Sequence, residues 1–119
     1  MQDAGHDMKA RMRADLRAAM KEGRGGDARL IRTLIAALDN AEAPPARSGS
    51  GAAEQHRFLS GSAEIERLSL DADRVRAILL AEIEEREQAA AEMDRLDRPD
   101  RAEAIRAEVR LATGYLSRP

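Results

Sequence analysis

The chain has 119 residues, length for one domain with one shared core and little more. Apolar residues make up 43% of it, but alanine supplies nearly half of these and Tyr115 and Phe58 are the only aromatics, so the predicted core is thin and aliphatic. With 35% charged residues, no cysteine and a net charge of only −2, the composition excludes disulfides, thiolate nucleophiles and a globally cationic nucleic-acid binder, and it favours helices throughout.

Met8, Met12, Leu16, Ala19 and Met20 recur at three- and four-residue intervals and predict a first helix from about Asp7 to Glu22. Gly23-Arg24-Gly25-Gly26 is expected to stop it, and Asp27 to cap the next. That second helix, ending near Glu42 before Pro44-Pro45, would bury Leu30, Ile31, Leu34, Ile35 and Leu38. The short turn between them implies an antiparallel hairpin.

Residues 43–63 are rich in Gly, Ser, Pro and Ala without a sustained period, and predict a flexible connection in which Phe58-Leu59 docks locally at most. Ser69 or Asp71 can cap a third helix running to about Asp97, with Val75, Ile78, Leu79, Ile83, Ala89, Ala90, Met93 and Leu96 on one face. Arg98-Pro99-Asp100 restarts the chain as a fourth helix carrying Ala102, Ile105, Val109, Ala112, Tyr115 and Leu116 inward as far as residue 116. The expected fold is all-α: a four-helix domain of two antiparallel hairpins.

Charge is unevenly placed. From Lys9 to Arg24 six bases (Lys9, Arg11, Arg13, Arg17, Lys21, Arg24) face two acids, whereas Glu82 to Asp97 holds seven acids and two arginines. Four charges also fall within or beside apolar stripes. Glu82 and Arg86 are an i,i+4 pair inside the third helix's stripe, Glu108 lies inside the fourth's, and Asp15 borders the first's. Isolated burial of any of them would cost several kcal/mol, roughly the stability of a small domain, so they are expected to pair, with Arg86 as the hub. Such a group reads either as a structural ion-pair network or as a polar notch that receives a partner. Arg32 projects away from its own stripe on the side of Asp39, two turns from Asn40, and periodicity alone does not separate a solvated face from a working one.

The segments DLRAAMKEGRGGDARLIRTLIAALDNAE, AEIEEREQA and RPDRAEAIRAEVRLATGYL resemble, in order and spacing, the N-terminal domain of the GatB/YqeY family. The matching positions include Asp15, Leu16, Ala19, Met20, Lys21, Arg32, Asn40, Glu42, Glu82, Arg86, Glu108, Tyr115 and Leu116. The resemblance implies an all-helical domain akin to the C-terminal tail of the B subunit of tRNA-dependent aspartyl/glutamyl amidotransferase. There the tail helps to hold mischarged tRNA, while the chemistry of that carbon–nitrogen ligase, with glutamine as amido donor, belongs to other domains. It further implies a smaller helical subdomain after Tyr115-Leu116. Only Ser117, Arg118 and Pro119 follow here, so that subdomain is expected to be absent.

Three function classes follow. An independent enzyme has least support: His6 and His56 fall in an expected disordered N-terminus and loop, and no serine has a nucleophile-elbow or phosphate-loop context. No catalytic centre, cofactor or metal is expected. An RNA adaptor would use Lys9, Arg11, Arg13, Arg17, Lys21, Arg32 and Asn40 against tRNA phosphates, or serve the amidotransferase subunits themselves. A protein-interaction or self-associating module would use the opposed basic and acidic helices instead. No signal peptide or membrane-length apolar run is present, and a cytoplasmic location is expected.

Overall fold

The computed structural model describes residues 3–44 and 67–117. They form four helices: α1 (Ala4–Lys21), α2 (Gly25–Glu42), α3 (Ala72–Arg95) and α4 (Pro99–Leu116). The pairs α1–α2 and α3–α4 form two antiparallel hairpins, and α2 packs on all three other helices. No strand occurs among the described residues. The predicted connection lies outside the described residues from position 45 onward, and with it His56, Phe58 and Leu59.

Two helix boundaries differ from the sequence expectation. α1 starts three residues early because Asp3 caps it, its carboxylate accepting the amide of His6 at 3.0 Å, so His6 belongs to an ordered helix. α2 starts at Gly25 with Arg24 at the cap, and Asp27 sits in the first turn, held by Arg24 Nη1 at 2.8 Å. Of the two candidates for α3, Asp71 is the cap, accepting the Arg74 amide at 2.7 Å.

Both hairpins turn by the same device. The Arg24 amide donates to the Ala19 carbonyl at 2.8 Å and that of Gly23 to Met20 at 3.3 Å; Arg98 donates to Met93 at 2.8 Å and Asp97 to Asp94 at 3.1 Å. These are paired 6→1 and 5→2 bonds with a left-handed residue at the corner, Gly23 at φ 75° and Asp97 at φ 57°. Each arginine then opens the next helix, with Pro99 preset for the first turn of α4.

The interior is built on Met12, Ile31, Leu34, Leu38 and Leu79, all fully buried, with Ala19, Ala28 and Ala112 allowing close helix approach. Two large members of the expected stripes are not interior: Met20 is 57% and Leu96 56% exposed. Both lie in the last turn before a reversal, where the partner helix has not yet begun to cover them. Ala89 is also exposed.

The stretch 67–70 crosses the open end of the α1–α2 hairpin before α3 begins. Leu68 donates to the Glu42 carbonyl at 2.8 Å, Gly5 donates to the Leu70 carbonyl at 3.2 Å, and Leu70 enters the core. Gly5 must be glycine for this approach, since a Cβ there would lie 2.9 Å from Glu42 Oε2 and 3.1 Å from Leu70 Cβ.

Candidate nucleic-acid interface

The helical spacing of Arg13, Arg17 and Lys21, four residues apart each time, aligns them along one exposed flank of α1 with a rise of about 6 Å per step. Across the hairpin, α2 adds the exposed Arg29 and Arg32. Arg32 reaches back to α1, its Nη2 donating to Met20 Sδ at 3.3 Å, which brings it beside Arg17 and Lys21. The nearby acids do not neutralise this face, because Arg24 takes both Glu22 (3.0 Å) and Asp27 (2.8 Å). None of Arg13, Arg17, Lys21, Arg29 and Arg32 enters an ion pair among the described residues. Asn40 lies exposed further along α2.

Two residues expected on this surface are elsewhere. Lys9 is only 6% exposed, and its ammonium donates to Glu42 at 2.5 Å and Asp39 at 2.7 Å. It sits two turns before Arg17 on the side facing α2, so no phosphate can reach it. Burial lowers its proton affinity, but hydrogen bonds to Asp39 and then Glu42, with their charges, outweigh that and raise its pKa above 10.5. Arg67 closes the cluster from the crossing stretch, 3.3 Å from Glu42. Arg11 is the second correction. It points about 120° round the helix from Arg17, with its guanidinium carbon 5.7 Å from the centre of the Tyr115 ring.

At the α3–α4 seam Arg86 is a hub. Its Nη1 donates to Glu82 Oε1 at 2.9 Å and to the Glu82 carbonyl at 3.0 Å, and its Nε to Glu108 at 3.1 Å. The Arg86 side chain is 17% exposed. Asp15, expected in this network, is not part of it. Its Oδ2 accepts the Tyr115 hydroxyl at 2.6 Å, and Tyr115 lies two turns along α4 from Glu108, about 10 Å away along the axis. The sequence reading missed the Lys9–Asp39–Glu42 cluster; its one signal was a lysine at a position aligned with Met12 and Leu16 on the inward face of α1.

No family model, curated protein or solved structure matches the chain. The likeness to GatB/YqeY therefore stands on the residues of the segments that carry it. Among the described residues no group of three His, Cys, Asp or Glu side chains could hold a metal ion, and no helix is long and apolar enough to cross a membrane. What the arrangement can do is electrostatic: five arginine and lysine side chains on one face can hold a polyanion, and Tyr115, the one aromatic among the described residues, is buried away from that face.

Proposed function

We propose that this domain is a non-catalytic helical adaptor that holds an RNA backbone, tRNA by the resemblance to GatB/YqeY, in a translation-linked setting. One observation carries the reading: Arg13, Arg17, Lys21, Arg29 and Arg32 share a face on which the acids are already paired to Arg24. Contacts of this kind fall on phosphates and RNA shape, so affinity is expected to be weak, about 10 μM or worse in physiological salt. Five neutralised phosphates correspond to a slope of log K against log salt near −4.5 on duplex or about −3.5 on single strands.

The test is a titration of labelled tRNA at several salt concentrations against the wild type and an Arg13→Glu, Arg17→Glu variant. The variant is expected to bind more weakly with a slope flattened by about two units. Lys9→Met, checked for folding, is expected to leave the slope unchanged. Superimposable wild-type and double-variant curves would reduce the basic row to a solvated face and end this reading.

A further inference from the structure

On the flank of α1 turned away from the basic row, a groove of about 530 Å³ opens between the first halves of α1 and α3 and the end of α4. Its floor is Met8, Val75, Leu79, Tyr115 and Leu116. α1 lines it with positions 4, 7, 8 and 11, and α3 with 72, 75, 76 and 79 together with Asp73 at the rim. Asp73 apart, both sets follow the i, i+3, i+4, i+7 spacing of a single helix face. Two such faces side by side make a trough about 10 Å long, which is two turns of a third helix.

The trough has a direction. The Gly5–Leu70 backbone bond sets the start of α1 beside the start of α3, and further along α1 both Arg11 and Asp15 meet Tyr115, which lines the groove with Leu79. The two walls therefore run the same way, and on each the acid precedes the base: Asp7 then Arg11, Asp73 then Arg76. Asp7, Asp73 and Arg76 enter no ion pair among the described residues. One end of the trough is thus acidic on both rims, and about one turn on the α3 rim becomes basic at Arg76.

We infer that the groove docks a short amphipathic helix of a partner protein, parallel to α1 and α3, with a basic side chain near its N-terminus over Asp7 and Asp73 and an acidic one a turn later beside Arg76. The apolar floor calls for an apolar stripe on the occupant. The charge order selects its polarity, and its own macrodipole acts in the same sense, positive end over the aspartates and negative end toward Arg76. This inference does not rest on RNA binding, since the basic row lies on another flank of α1.

The experiment uses the full chain and two lactam-stapled helical peptides. Both carry leucines at i, i+3, i+4 and i+7; one has lysine on the N-terminal flank and glutamate on the C-terminal flank, and the other has them exchanged. Fluorescence anisotropy is expected to show the first binding at least tenfold tighter. In an Asp73→Arg, Arg76→Asp variant, whose two positions are exposed and whose folding circular dichroism reports, the α3 rim opposes the unchanged α1 rim and the preference is expected to be lost. Equal binding of the two peptides, no binding of either, or a preference that the variant leaves unchanged would overturn the inference. Sedimentation of the chain alone supplies the other arm: a dimer lost in the same variant would assign the groove to a second copy and likewise overturn it.

Discussion

Lys9 shows how one residue's role turns on its partners. An ammonium with two carboxylates, in a site closed by Arg67 and by the Leu68–Glu42 backbone bond, is a buried cluster in which each member depends on the others. Lys9→Met is expected to cost at most about 3–5 kcal/mol in urea denaturation, because it leaves the buried Glu42 carboxylate with only the exposed Arg67 as counter-charge, and Lys9→Met with Glu42→Leu to recover most of that. The pH dependence has a definite sign. A folded-state pKa raised above 10.5 means that the stabilisation is complete below that value and fades as pH rises through the folded value. Wild type is accordingly expected to lose stability relative to Lys9→Met above about pH 10.5, and the two are to be compared by thermal melts at pH 8 and pH 11.

At the scale of elements, the two reversals share their hydrogen bonds and differ at the corner residue. Asp97 occupies a left-handed conformation that Gly23 takes without steric cost. Asp97→Gly is expected to raise stability by about 0.5–1 kcal/mol, read as a higher denaturant midpoint with unchanged slope. The seam between α3 and α4 rests on Arg86, which ties two carboxylates to one guanidinium. Replacing Arg86 by Met is expected to destabilise more than replacing it together with Glu82→Leu, since the single change leaves a half-buried acid unpaired. Equal stabilities would mean that the pair is decoupled by solvent. The exposed pairs Arg95–Glu92, Arg106–Asp94 and Arg110–Glu103 lie in high dielectric and contribute little by comparison.

For the whole molecule, the basic row and the groove are two separate surfaces. The purified chain is expected to release no ammonia from glutamine above a heat-killed control, measured by a coupled ammonia assay; turnover would restore the enzyme class. Around the axis of α1 the basic row, the buried Lys9 and the groove occupy three different sectors. A single helix thereby joins an electrostatic face shared with α2 to an apolar trough shared with α3 and α4.

Periodicity and punctuation in the sequence determined the four helices, their hairpin pairing and most of the core, because each helix needs only its own local spacing and stop signals to declare an apolar face. The Arg86 group was legible for the same reason: Glu82 and Arg86 stand four residues apart on one helix, and charges inside an apolar stripe must find partners. Lys9 and Arg11 were not. In sequence both read as members of a basic helix, and what separates them from Arg13 and Arg17 is the neighbour each meets, Glu42 on α2 for one and Tyr115 on α4 for the other. The groove was equally hidden, since it exists only where the faces of α1 and α3, some seventy residues apart in the chain, come side by side. Local spacing decides which residues turn inward; only the packing of distant helices decides which charges remain on the surface to bind anything.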